Sequence, residues 1–207
     1  MSQDIRDYLR HCPLVAITRG IAPDEAEAVG AAIFEAGIRI IEVPLNSPDP
    51  LASIKLLSDR LGDRALVGAG TVLDPRQVAE VAAAGGRLVV SPNTDPAVIR
   101  ATLAAGLVSC PGYFTPSEAF AALAAGASAL KFFPAEAATP AVLRAQKAVL
   151  PKDVPVIVVG GVKPETMRPW LAAGADAFGL GSGLYKPGQS AAETADRARA
   201  YVAGLSG

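Results

Sequence analysis

The chain has 207 residues, with 19 basic and 20 acidic side chains and a formal net charge of −1. That balance gives no field to draw nucleic acid or an anionic membrane surface, so neither is expected as a partner. Hydrophobic residues make up 51% of the chain and aromatic ones only 5%, so the expected core is large and built mainly of Ala, Val, Leu and Ile.

The first ten residues, MSQDIRDYLR, are charged and hold no apolar signal core. No apolar run reaches the ~18 residues that suggest a membrane span. The expected location is the cytoplasm. Beyond them, short apolar runs alternate with helix-like stretches that often close on Ala-Gly, as at Gly37, Gly85, Gly106, Gly126 and Gly174. The runs are Leu14–Thr18, Arg39–Val43, Ala65–Gly68, Leu88–Ser91, Leu107–Cys110, Ala129–Phe133, Pro155–Val159 and Ala175–Leu180. Most are apolar at consecutive positions, as buried parallel strands are.

Between them, Asp74-Pro75, Asp95-Pro96, Thr115-Pro116 and Thr139-Pro140 place a capping side chain before a proline at the first helical position. Thr115 to Glu118 also reads as a capping box. Lys163-Pro164-Glu165 opens a further helix, and Pro187 to Gly207 supplies a last loop and helix. Strand and helix in alternation argue for a parallel sheet. Eight units of about 25 residues argue for one α/β domain over residues 1–207, a (β/α)8 TIM barrel. An open doubly wound sheet is the rival architecture.

In such a barrel the active site lies at the C-terminal ends of the strands. Three charged residues fall there: Arg19 after the first run, Glu42 in the second and Lys131 in the sixth. Charged residues are seldom buried unless paired or functional. An amine on an apolar strand is desolvated, which favours its neutral, nucleophilic form and so Schiff-base chemistry. The bland alternative is a lysine snorkelling outward between helices. The run alone leaves the two even, and the company of Glu42 and Arg19 tips the balance to function. Glu42 suits proton transfer or a structural ion pair. Arg19 suits a carboxylate or phosphate, since its fork holds two oxygens, or is a surface residue of a loop. Gly160-Gly161 and Gly181-Ser182-Gly183 follow the seventh and eighth runs, where barrels commonly hold phosphate on backbone N–H groups.

His11 is the only histidine, and Cys12 and Cys110 lack metal-like spacing, so no metal site and no disulfide framework are expected. Cys110 reads as a buried strand residue, and Met167 and Trp170 as packing. Tyr113 and Phe114 read either as a pocket wall or as an aromatic plug.

The chain resembles the class I aldolases of 2-keto-3-deoxy-6-phospho sugar acids. The matching stretches are Ala16 to Gly20, Ile41 to Pro48, Val67 to Leu73, Ser91 to Asn93, Lys131 to Pro134 and Val159 to Val162. The resemblance implies that Lys131 forms the Schiff base, that Glu42 moves protons and that Thr71 touches the pyruvyl end. It further implies that Pro92 and Phe133 line the pocket and that Gly160, Gly161, Gly181 and Ser182 hold phosphate. No cofactor is implied, and the family's assembly is a homotrimer.

Two branches of this family differ at the mouth. The gluconate branch commonly carries arginine at the place of Asn46 and threonine at that of Val159. Arg19 together with Pro44-Leu45-Asn46-Ser47-Pro48 resembles the galactonate branch. The expected substrate is therefore 2-keto-3-deoxy-6-phosphogalactonate, cleaved to pyruvate and glyceraldehyde 3-phosphate. The alternatives are the gluconate epimer or both epimers, a 2-keto-4-hydroxyglutarate substrate, a sugar-phosphate epimerase, and a non-catalytic sugar-phosphate binding protein.

Overall fold

The computed structural model describes residues 4–205. Each expected apolar run forms a strand: β1 (Leu14–Ile17), β2 (Ile40–Pro44), β3 (Leu66–Gly70), β4 (Leu88–Val90), β5 (Val108–Cys110), β6 (Gly112–Tyr113), β7 (Leu130–Phe132), β8 (Val156–Val159) and β9 (Ala177–Leu180). The count is nine rather than eight because Gly112–Tyr113, just past the end of the fifth run, forms a further short strand beyond Pro111. Proline has no N–H for the ladder, so the strand splits into β5 and β6.

The break is what closes the sheet. All pairings are parallel, in the order β5-β4-β3-β2-β1-β9-β8-β7-β6. Both ends of that order belong to the same short stretch of chain. The Lys131 N–H donates to the Pro111 carbonyl at 2.9 Å, and the Ser128 N–H to the Ser109 carbonyl at 2.9 Å, which carries the ladder across the break. The result is a barrel, not the open rival sheet.

The outer layer comprises α2 (Pro23–Glu35), α3 (Pro50–Leu61), α4 (Pro75–Ala83), α5 (Pro96–Ala104), α6 (Pro116–Ala124), α7 (Pro140–Lys147), α8 (Met167–Ala172) and α9 (Ala191–Gly204). Asp74, Asp95 and Thr115 cap their helices as expected, and Thr115 with Glu118 completes a capping box. Thr139 occupies the cap position of α7 without a side-chain hydrogen bond. The Lys163-Pro164 signal starts a 3-10 turn, Pro164–Thr166, which leads into α8.

Alternation along the strands separates two cores. Leu14, Ala16, Ile41, Val43, Phe132 and Val158 face the helices, while Val15, Ile17, Ile40, Leu66, Val90 and Ile157 fill the barrel. A first helix, α1 (Ile5–His11), was not expected from the charged N-terminus. Its Ile5, Tyr8 and Leu9 join the barrel interior just ahead of β1, which stoppers the end opposite the strands' C-termini. Where strands approach most closely no side chain fits. A Cβ on Gly68 would stand 2.0 Å from the Leu88 carbonyl oxygen, and one on Gly112 2.3 Å from that of Pro92.

Candidate active site

Glu42 lies on β2 and Lys131 on β7, each in the register that faces the barrel interior. They line one narrow space with Ile17, Val90, Cys110 and Val159. Glu42 is 2% exposed and Lys131 6% exposed. The outward, snorkelling alternative for Lys131 is thereby removed. Its Nζ stands 5.0 Å from the centroid of the Phe133 ring, a favourable approach for a cation to an aromatic face.

The Glu42 carboxyl is enclosed by protein. Its Oε2 is buried with no hydrogen-bond partner among the described residues. Burial raises its pKa above the ordinary glutamate value, and the charges of Lys131 and Arg19 only partly oppose that. Room for the carboxyl comes from Gly70 on β3, where a Cβ would lie 2.9 Å from the carboxyl carbon. The mate of Glu42 is thus a residue that sequence reasoning passed over. Glycines at alternate positions of one strand, Gly68 and Gly70, were the available signal. The backbone of Glu42 is pinned as well, since its carbonyl accepts from the Thr18 N–H at 3.0 Å and from the Thr18 hydroxyl at 3.1 Å.

Arg19 is held across the mouth. Its Nη1 donates to Asn46 Oδ1 at 2.6 Å and its Nη2 to Thr71 Oγ1 at 3.4 Å. In the sequence Asn46 serves only as a mark of the galactonate branch, standing where the gluconate branch commonly carries arginine. The structure makes it the acceptor that aims Arg19. The Arg19 loop is also tied to the loop after β2, with the Gly20 N–H donating to Ser47 Oγ at 2.9 Å. Thr71 directly follows β3 with φ of 58°, a left-handed backbone that a β-branched residue rarely adopts. Such conformations cost about 1–3 kcal/mol and gather at functional sites.

The expected pocket residues on the other strands divide by face. Phe133 packs inward with the interior cluster, and Phe132 outward. Pro92 follows β4, its carbonyl against Gly112. Tyr113 and Phe114 neither wall nor plug the mouth. They pack outside the sheet, with ring centroids 5.6 Å from Phe132, which in turn lies 6.1 Å from Trp170. The pairing of Gly112 with Lys131 explains this, because it turns Gly112 inward and Tyr113 outward. Cys110 faces the interior, but burial pushes its thiol up to about 12, so it stays protonated.

Gly160 and Gly161 follow β8, and Gly181 and Ser182 follow β9. Val159 pairs with Gly179, which sets the two loops side by side at the mouth. Gly160 has φ of 116° and Gly161 of 65°, conformations that favour glycine. Among the described residues no cluster of three or more His, Cys, Asp or Glu is arranged to hold a metal ion, and no helix is long and apolar enough to cross a membrane.

Comparison with known proteins agrees with this geometry. The profile of the aldolase family described as KDPG and KHG aldolase matches residues 5–200. The 2-dehydro-3-deoxy-6-phosphogalactonate aldolase of Escherichia coli (strain K12) is 51% identical over 92% of this chain and 93% of its own length. A structure described as native KDPGal superposes with a TM-score of 0.92 at 50% identity, covering 94% of each chain. A KDPG aldolase from Legionella pneumophila, with pyruvate captured as a covalent carbinolamine, has a TM-score of 0.82 at 25% identity and covers 98% of each chain. The barrel, its buried lysine and glutamate, and these likenesses converge: the chain belongs to the KDPG and KHG aldolase family.

Proposed function

We propose that this chain is a Schiff-base aldolase that cleaves 2-keto-3-deoxy-6-phosphogalactonate to pyruvate and glyceraldehyde 3-phosphate. The observation that carries it is the placement of Lys131 and Glu42 on facing strands of one closed apolar interior. An amine there meets a keto carbon away from competing water.

Neutral Lys131 adds to the keto carbon to give a carbinolamine, and loss of water leaves an iminium. The Glu42 carboxylate, directly or through a water, takes the proton from the hydroxyl on carbon 4. The bond between carbons 3 and 4 breaks, and its electron pair passes to the iminium nitrogen, giving an enamine. Glyceraldehyde 3-phosphate departs. The Glu42 carboxyl returns a proton to carbon 3, and water releases pyruvate. The iminium is its own electron sink, so no cofactor is required.

Arg19, aimed by Asn46, is the cation for the substrate carboxylate, and Thr71 lies beside it at the pyruvyl end. Phe133 and Pro92 line the path. Gly160, Gly161, Gly181 and Ser182 hold the phosphate through backbone N–H groups and the serine hydroxyl. Val159 lines the same interior as Lys131, so the galactonate-type reading rests on an apolar neighbour where a hydroxyl would sense the other epimer. One barrel domain suffices for all of this. A cytoplasmic homotrimer completes the reading. Leu103 on α5 and Phe120 on α6 are exposed apolar residues of the kind that a symmetric contact covers.

The test is to incubate the protein with pyruvate, reduce with borohydride and map the adduct by peptide mass spectrometry. A stable adduct on Lys131, absent with turnover in Lys131→Ala, is expected. Well-folded protein without an adduct would remove the aldolase reading. Side-by-side cleavage of the two phosphorylated epimers then tests the substrate, with the galactonate epimer expected to be the faster.

A further inference from the structure

The last helix holds both glycine loops of the mouth with one side chain. Tyr201 of α9 is 3% exposed, and its hydroxyl donates to the Val162 carbonyl at 2.9 Å. Val162 directly follows Gly160-Gly161. The same hydroxyl oxygen lies 2.2 Å from where a Cβ on Gly183 would stand, which places it against the loop after β9. Gly183 has no left-handed backbone to explain it. It is glycine for lack of room, and what takes the room is Tyr201. One turn earlier on the same helix face, Arg197 Nη1 donates to the Gly183 carbonyl at 3.3 Å. Toward the end of α9, Gly204 packs on Pro164 and Met167, where the chain leaves the first loop for α8.

From these contacts we propose that Tyr201 is a positioning residue of the phosphate site, fixing the separation of the Gly160-Gly161 loop from the Gly181-Ser182-Gly183 loop. The inference rests on the phosphate role given to those loops above. A phosphate bridged by two loops needs their N–H groups at one set distance, and neither loop sets that distance by itself. Tyr201 touches both from the helix-facing core, outside the barrel interior that Glu42 and Lys131 line. Its loss should therefore be felt in capture of the phosphorylated substrate and not in the chemistry at Lys131.

The experiment compares Tyr201→Phe, Gly183→Ala and the double variant with the parent protein. Three readouts serve: KM and kcat for the phosphorylated substrate, the same for its unphosphorylated analogue, and the pyruvate–borohydride adduct. Tyr201→Phe should raise KM for the phosphorylated substrate about three- to tenfold, the loss of roughly one hydrogen bond. Its kcat, its use of the analogue and its pyruvate adduct should match the parent, which also shows that it is folded. Gly183→Ala should raise the same KM, and by less when Tyr201 is already phenylalanine, because the oxygen its methyl meets is gone. Neighbours in contact should show such non-additivity. Strictly additive effects, or an unchanged KM with only a lower melting temperature, would overturn the proposal while leaving the phosphate site intact. Should the parent itself fail to prefer the phosphorylated substrate over the analogue, the phosphate reading falls first and the role of Tyr201 with it.

Discussion

The two sides of the barrel mouth are built from opposite materials. On β2 and β7, which face each other across the interior, charged side chains rise from apolar strands, and Glu42 and Lys131 are almost wholly buried. On the β8 and β9 side, the chain offers glycine backbone, with Gly161 and Ser182 open to solvent. The difference follows from what each side must do. A reacting amine and a proton-shuttling carboxyl change charge during the reaction, and a dry, low-dielectric setting strengthens every interaction that follows that change. A phosphate keeps its charge from binding to release, so it needs fixed donors and close approach rather than desolvation. Damage on the first side should therefore appear in kcat, and damage on the second in KM.

Glu42→Gln is the larger blow to the first side. It removes proton transfer and should lower kcat by about 10²–10⁴-fold. The pyruvate–borohydride adduct on Lys131 should still form, because the amine is untouched. Turnover at the parent rate would take the proton-transfer role from Glu42. Arg19→Met tests the border between the two sides. Losing a charge-assisted hydrogen bond should raise KM for any substrate bearing the keto-acid carboxylate by roughly 10- to 100-fold. Pyruvate itself should suffer with the phosphorylated sugar acid. If only the sugar acid suffered, Arg19 would belong to the phosphate. Ser182→Leu is confined to the second side and should raise KM for phosphorylated substrate by about tenfold, leaving pyruvate adduct formation alone. Equal effects on both would erase the division of labour.

How far the sequence discloses all this can be judged residue by residue. Glu42 and Lys131 stand out because a charge inside an apolar run has few structural excuses, although a run apolar on both faces leaves open which way Lys131 points. Asp74, Asp95 and Thr115 announce their helices because a cap needs only its own neighbours. What stayed hidden depends on distant partners. Pro111 signals trouble in a strand, yet its effect on the facing of Tyr113 emerges only from the pairing of Gly112 with Lys131. Asn46 is an ordinary loop residue until Arg19, on another strand end, lands against its side-chain oxygen. Thr71 takes a left-handed backbone that nothing in its local sequence requests. Ile5, Tyr8 and Leu9 do carry helical spacing, but the charges between them mask a helix whose apolar stripe has only the barrel floor to meet.

The smallest effect sharpens the comparison most, because it asks what burial does to Glu42. Burial raises the folded-state pKa of Glu42 above that of the unfolded chain, and Lys131 and Arg19 offset this only in part. Between those two values the folded state binds more protons than the unfolded one. Unfolding free energy therefore falls as pH rises through this window, and the penalty is fully present above the raised value. Glutamine cannot ionise. Glu42→Gln should thus match the parent in acid, below the ordinary glutamate pKa, and become the more stable of the two as pH rises past the raised one. Urea midpoints of both proteins across that range measure it directly. If attraction to Lys131 outweighed burial, the sign would reverse, and the parent would gain on the variant with rising pH. The direction of that single slope separates a carboxyl whose charged form burial penalises, which suits a group that both takes and returns a proton, from one held as half of an ion pair.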